Sequence, residues 1–122
     1  AAAEANIHNL VMRIVSPETI AAEIARSRSA GTSVISIDHT LTTKGGVLTR
    51  FVKQGHLPAT FGFNWDALAD AVGDLTDTLV AVGPTPHLPP GVRDTLLAVL
   101  DDAAASAAPS LTVLCSPPES TP

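Results

Sequence analysis

The chain has 122 residues, of which 45% are hydrophobic and 16% are charged. This length suits a single domain, and this hydrophobicity excludes general disorder. Twelve acidic and seven basic residues give a net charge of −5, which disfavours nucleic-acid binding because phosphate contacts require clustered Lys and Arg. The single cysteine excludes an internal disulfide and favours a reducing compartment, and no apolar run approaches the about 20 residues of a membrane span.

The predicted elements of the first half alternate between strands and helices. Residues 7–15 favour a strand, with a frayed helix as the alternative, because apolar and β-branched residues are interrupted by polar ones. A helix is expected to begin at Pro17 and to end at Gly31, since proline fits the first helical position and glycine tolerates the left-handed conformation of a helix end. Residues 34–37 predict a buried strand, and apolar residues at 3–4 spacing predict a helix over residues 43–54.

The second half continues this alternation. A loop over residues 57–64 leads to Asn64, a good helix N-cap, and to a helix ending near Leu75. There follow a strand at 78–82, a stiff Pro-rich loop at 83–91, a helix at 92–107, a strand at 111–115 and a polar, disordered tail at 117–122. The core order β-α-α-β-α-β predicts an α/β fold with a parallel sheet and crossover helices.

The acidic residues are concentrated in the second part of the chain. Residues 1–53 carry a net charge of +2 and residues 54–122 a net charge of −7. One predicted helix contributes an acidic stripe at regular spacing: Asp66, Asp70, Asp74 and, if the helix extends that far, Asp77. Like charges four residues apart destabilise a helix slightly. The stripe is therefore either a solvated face or a contact surface for a basic partner.

The residue pattern gives little indication of a catalytic site. Asp66 and Asp70 could serve a metal-dependent hydrolase with His56 or His87 as a third ligand, but nothing fixes that geometry. No nucleophile, phosphate-loop or cofactor motif is present. Cys115 lies in an apolar strand, which favours a buried, unreactive thiol. We predict no catalytic residue, no cofactor and no metal.

Three of the four aromatic residues lie close together in the loop and at the helix start. Phe61, Phe63 and Trp65 alternate along the chain. They either anchor the loop to the core or form a contact surface, since Trp is enriched at binding hot spots. We expect Phe61 to point inward and Phe63 or Trp65 to be partly exposed.

One segment resembles the signature of the barstar family, which comprises small intracellular inhibitors of secreted microbial ribonucleases. The segment is Leu57-Pro58-x-x-Phe61-Gly62-x-Asn64-Trp65-Asp66-Ala67-Leu68-x-Asp70. The resemblance covers roughly residues 33–116, and residues 1–31 have no counterpart in the minimal family fold.

The resemblance implies a fold, a partner and a location. The fold is a three-stranded parallel sheet flanked by helices, formed by residues 32–116, with residues 1–31 as a strand and helix extension and residues 117–122 as a disordered tail. The partner is a secreted guanyl-preferring ribonuclease in a 1:1 complex, with neither nucleic acid nor a membrane involved. The protein is then bacterial and cytoplasmic. We expect the extension to pack on the domain without contacting the ribonuclease.

The resemblance also implies which residues bind the ribonuclease. Asp66 and Asp70 match two helix aspartates that face the basic catalytic groups of the enzyme. The matching positions of the loop and helix start are Gly62, Phe63, Asn64 and Trp65. A late-helix carboxylate also contributes in the family, and here Asp102 is the better candidate and Asp101 the alternative, because the register is open by one residue.

Two departures from the family pattern affect the choice of partner. Thr60 stands where the best-known family member has a contacting tyrosine, and Ala69 stands where it has a contacting tryptophan. Both reduce the apolar contact area, which Trp65 restores in part. The target therefore need not be the ribonuclease that this family member inhibits.

Overall fold

The computed structural model describes residues 12–57, 61–62, 64–107 and 111–116. Their elements, in chain order, are β1 Met12–Ile14, α1 Pro17–Ser29, β2 Ser33–Ile37, α2 Lys44–Gly55, α3 Trp65–Gly73, β3 Thr78–Val82, α4 Pro90–Ala107 and β4 Leu111–Cys115. The tail predicted to be disordered and the part of the first predicted strand before Met12 lie outside these residues.

The strands form one parallel sheet in the order β1-β4-β3-β2. The predicted core of three parallel strands, β2, β3 and β4, is confirmed. Strand β1 adds a fourth strand by pairing Met12–Ile14 with Val113–Cys115 of β4. The sheet is thus one strand wider than the family resemblance implies, because the extension satisfies the backbone groups along the outer side of β4.

Helices α2, α3 and α4 cover one face of the sheet. Strand residues of alternating position, among them Ile35, Val80 and Val113, point into this core and are fully buried. The helices contribute apolar residues at 3–4 spacing: Val47, Leu48 and Phe51 from α2, Leu68 and Val72 from α3, and Leu96, Leu100, Ala103 and Ala104 from α4. Most of the hydrophobic core lies on this side.

Among the described elements, helix α1 is the one that covers the opposite face. Leu79, Ala81 and Leu114, from the intervening strand positions, are buried there against Ile20 of α1, and Ile24 adds half-buried contact. The N-terminal extension therefore shields the sheet face that the other three helices leave open, as a parallel sheet requires.

Two helix ends follow the sequence signals. At the start of α1 the Ser16 hydroxyl accepts a hydrogen bond from the Thr19 N–H at 3.2 Å, and Gly31 beyond its end has a φ of 83°. Helix α2 ends at Gly55, and His56 closes it with a left-handed φ of 55°. Histidine takes this conformation more readily than most residues other than glycine, asparagine and aspartate.

Two other helix ends differ from the prediction. Helix α3 ends at Gly73 rather than near Leu75, because Gly73 is a poor helix former and Asp77 must adopt a left-handed φ of 51° to enter β3. Helix α4 begins at Pro90, two residues before the predicted start, since proline is favoured in the first helical turn. None of the helices in the described ranges is long and apolar enough to cross a membrane.

Candidate functional site

Asn64 fixes the start of α3. Its side-chain Oδ1 accepts a hydrogen bond from the Ala67 N–H at 2.8 Å, while its Nδ2 donates to the Gly62 carbonyl at 3.2 Å. One amide side chain thus holds both the first turn of the helix and the end of the preceding loop. Such a cap contributes about 0.5–2 kcal/mol to helix stability.

Gly62 lies where the loop meets this helix start. A Cβ at this position would come within 3.2 Å of the Ala67 Cβ and 3.4 Å of the Asn64 Nδ2. A larger residue would therefore push the loop away from α3. This packing explains why the loop can approach the helix so closely, and it sets the shape of the surface beside the aspartates.

The aspartates of α3 point away from the core. Leu68 and Val72 bury the inner side of the helix, whereas Asp66 and Asp70 are exposed one turn apart. Asp66 lies in the first turn, where the positive end of the helix dipole favours a carboxylate. The sequence has no Lys or Arg between Gln54 and Val92, so the negative charge of this surface is not offset by its neighbours in the chain.

The acidic stripe on α3 is shorter than it would be if the helix extended to Asp77. Asp74 is exposed at the C-cap of α3, where the helix dipole disfavours a carboxylate. Asp77 lies off the helix and lines a separate polar cleft with Arg13 and Arg26. The helix does not extend to Asp77, which was the condition for a four-residue stripe, so the stripe consists of Asp66, Asp70 and the C-cap residue Asp74.

A cleft of about 380 Å³ opens beside α3. Asp70 and Asp74 form part of one wall, and His56 and Leu57 from the end of α2 form another. The remaining lining residues are Gly55, Phe61, Gly62, Ala67, Ala71 and Leu75. Apolar side chains and two carboxylates line the cleft together, so it suits a cationic side chain with an apolar stem.

His56 is a cleft residue that the sequence analysis considered only as a third metal ligand and not as part of a binding surface. Its left-handed backbone turns the chain at the end of α2, directly into the loop before α3. At Gly55 a Cβ would lie 3.1 Å from Ile35 Cδ1, which keeps this helix end close to the sheet. The only signal in the sequence is that His56 follows a glycine at the end of an amphipathic helix.

The aromatic residues divide between anchoring and contact. Phe61 and Trp65 are both half-buried and pack against the main core. The ammonium group of Lys44 lies 5.5 Å from the centre of the Trp65 ring, within range of a cation–π interaction. Trp65 is therefore partly covered by a cation from α2, and Phe63 lies outside the described residues.

The late-helix candidates differ in exposure. Asp102 is exposed and Asp101 is half-buried, and both lie on α4, which packs against α3 on the same face of the sheet. Exposure favours Asp102 as a contact residue, but its place in an interface stays a prediction.

The described residues add no support for a catalytic site. Within the described part of the chain, no group of three or more His, Cys, Asp and Glu side chains is arranged to hold a metal ion. Cys115 is buried, and burial raises the pKa of its thiol although the nearby Arg93 charge opposes this effect. The prediction of a buried thiol is confirmed.

Comparison with known proteins completes the description of the site. No curated protein matches the chain at a significant level. Residues 32–115 match the family model described as barstar, the barnase inhibitor. The match covers more than half of the chain and includes the loop, α3 and the cleft between them. Members of this family inhibit barnase-type ribonucleases, and the chain belongs to the barstar family.

Proposed function

We propose that this protein inhibits a secreted, guanyl-preferring microbial ribonuclease by covering its active site in a 1:1 complex, and that it does so in the bacterial cytoplasm. The observation that carries the proposal is the exposed pair Asp66 and Asp70 on a capped, core-packed helix inside the region of the family match. The proposed contact residues are Gly62, Phe63, Asn64, Trp65, Asp66 and Asp70, and Asp102 is a further proposed contact from α4.

The proposed mechanism is electrostatic occlusion. A ribonuclease active site is positively charged because it binds phosphate, and a carboxylate can accept hydrogen bonds from the same Arg, Lys and His groups. Asp66 and Asp70 are held one turn apart by a helix whose inner face is fixed by Leu68 and Val72. Because the carboxylates are ordered before binding, association costs less conformational entropy.

We propose that one cationic side chain of the ribonuclease enters the cleft beside α3. Asp70 lines it from the body of the helix and Asp74 only from the helix C-cap, so we assign the entering side chain to the Asp70 carboxylate. Ala69 is small and half-buried on the same helix. The loss of an aromatic contact there favours a target different from the ribonuclease that the best-known family member inhibits.

The experiment that tests the proposal compares Asp70→Ala with Asp74→Ala. Inhibition is measured against barnase and a panel of secreted guanyl-preferring ribonucleases. We expect Asp70→Ala to weaken inhibition at least about 30-fold, because removing one partner of a desolvated charge pair costs about 2–5 kcal/mol. A barstar aspartate is itself the standard example of an extreme hot spot, so the direction follows from the family and the residue assignment is the new element.

Asp74→Ala is the matched control, with the same substitution one turn further on. We expect a much smaller loss of inhibition, and melting temperatures that stay unchanged or rise slightly for both variants, since both residues are exposed. Equal, small losses at the two positions would contradict the assignment of Asp70. A wild-type protein that inhibits none of the ribonucleases would favour an acidic module that binds another basic protein.

A further inference from the structure

Trp65 is the first residue of α3 and the single tryptophan of the chain. It is half-buried and packs against the main core, so apolar neighbours hold part of the indole while another part remains accessible. A tryptophan contributes most to an interface when its ring is ordered before binding, because little conformational entropy is then lost on association. The group that holds the accessible part of this ring therefore matters for the binding proposed above.

Lys44 supplies a cation to the Trp65 ring from a different helix. It is the first residue of α2, its side chain is exposed, and its ammonium group lies over the indole, 5.5 Å from the ring centre. At this distance the negative face of an aromatic ring attracts a positive charge. The aliphatic stem of a lysine can also pack along apolar surface while its charged end stays in water. The contact thus links the start of α2 to the start of α3.

The position of Lys44 is unfavourable for α2 itself. The positive end of the helix dipole disfavours a cation in the first turn, and that turn has no acidic residue to offset it. Gly45 and Gly46, which follow Lys44, are poor helix formers. The helix is capped by Thr43, whose hydroxyl accepts a hydrogen bond from the Gly46 N–H at 3.0 Å. The stability of α2 therefore does not explain a lysine at this position.

The contact with Trp65 offsets this unfavourable position. Among the described residues, no carboxylate lies within ion-pair distance of Lys44, so the aromatic ring is the group that the structure places against its ammonium. Because core residues already hold part of the indole, a cation above the ring restricts the rotation that remains. Lys44 and the core together fix the orientation of Trp65.

We propose that Lys44 is a positioning residue for ribonuclease binding, which holds the indole of Trp65 in the orientation that contacts the enzyme. This inference rests on the proposed function, and it adds a residue of α2 to the loop and helix residues that determine binding. Lys44 acts through Trp65 and does not need to touch the ribonuclease. By ordering the ring before association, it slows dissociation of the complex.

The charge of Lys44 by itself has the opposite effect on binding. A cation at the start of α3 weakens the negative potential that attracts a cationic ribonuclease. If Lys44 acted only as a charge, its removal would accelerate association and strengthen binding. If Lys44 orders Trp65, its removal should accelerate dissociation by about two- to fivefold, the size expected of an exposed cation–π interaction. The two roles therefore differ in the direction of the effect on affinity.

Dissociation from the most strongly inhibited enzyme of the ribonuclease panel, measured at about 0.15 M salt, tests this role. We expect Lys44→Ala to dissociate about two- to fivefold faster than the wild type. Lys44→Arg should dissociate like the wild type, because a guanidinium also stacks on an aromatic ring. Lys53→Ala removes the same charge from an exposed position in the last turn of α2, and it should leave the dissociation rate unchanged.

The melting temperature separates this effect from a loss of folding. Alanine is a better helix former than lysine and removes the cation from the positive end of α2, so Lys44→Ala should melt at the wild-type temperature or higher. A Lys44→Ala variant that dissociates at the wild-type rate, from an enzyme whose inhibition depends on Asp70, overturns the role of Lys44 and leaves the proposed function intact.

Fluorescence of the free protein tests the contact without a ribonuclease. Trp65 is the single tryptophan, so the decay of tryptophan anisotropy reports on this ring alone. In Lys44→Ala the fraction of the anisotropy lost through nanosecond ring motion should rise at least about twofold, whereas Lys44→Arg and Lys53→Ala should match the wild type. An unchanged fraction in Lys44→Ala would mean that the core alone orders the ring, which overturns the proposal whether or not the protein inhibits a ribonuclease.

Discussion

Arg93 is a cation held inside the protein by neutral acceptors. Its guanidinium donates to the Gly83 carbonyl at 3.0 Å, the Thr85 hydroxyl at 2.8 Å, and the carbonyl and hydroxyl of Ser116 at 2.9 and 3.2 Å. These groups lie just beyond the ends of β3 and β4. The planar fork of arginine can bridge the two segments at once, which the single ammonium of a lysine cannot do.

We expect Arg93→Met to lower the free energy of unfolding by about 2–4 kcal/mol, because it leaves at least two buried carbonyls without a donor. Urea unfolding measures this change. Arg28→Met removes the same charge from an exposed position of α1 and should stay within about 0.5 kcal/mol. Similar losses in both variants would show that net charge, rather than the hydrogen bonds of Arg93, determines the effect.

Helix α1 is an added element that we expect to stabilise the fold without taking part in binding. It lies on the sheet face opposite α2, α3 and α4. Ile20 is the buried residue of this helix, and Ile24 is half-buried. The binding surface proposed on α3 is therefore separated from α1 by the full thickness of the sheet.

We expect Ile20→Ala to lower the free energy of unfolding by about 2–4 kcal/mol, through lost apolar burial and the resulting cavity. Ile24→Ala should cost less, because its side chain is only half-buried. Affinity for the ribonuclease, corrected for the folded fraction, should change less than twofold in both variants. A loss of affinity comparable to that of Asp70→Ala would mean that the extension takes part in binding.

The whole molecule carries an uneven charge distribution. The net charge of −5 comes from the second part of the chain, and three aspartates of that part are exposed on α3. Arg26 and Arg28 are exposed on α1, on the opposite side of the sheet. A cationic protein should therefore approach the α3 side preferentially.

We expect the association rate with a cationic ribonuclease to fall at least about tenfold between about 0.02 and about 0.15 M salt, because screening shortens the reach of the charged surface. Stopped-flow mixing measures this rate. The dissociation rate should change much less, since it depends mainly on the contacts made in the complex. An association rate that is constant across this range would remove electrostatic steering from the mechanism.

Local signals in the sequence determined most of the elements. Ser16 and Asn64 are hydrogen-bonded caps at predicted helix starts, and the core strands fall where runs of β-branched residues predict them. These features depend on neighbours within four residues or on a period of two. The parallel sheet follows from the alternation of strands and helices, and the exposure of Asp66 and Asp70 follows from the positions of Leu68 and Val72.

The tertiary structure decided what depends on residues distant in sequence. The end of α3 at Gly73 is set by the turn that Asp77 needs to enter β3, and it takes Asp77 off the acidic stripe. His56 becomes part of the α3 cleft only because α2 ends beside the sheet. The place of β1 beside β4, and the exposure of Ile14 that follows, depend on pairing between segments about one hundred residues apart. Such pairing has no local sequence signal, because the free energy of a strand edge depends on which other strand satisfies its backbone groups.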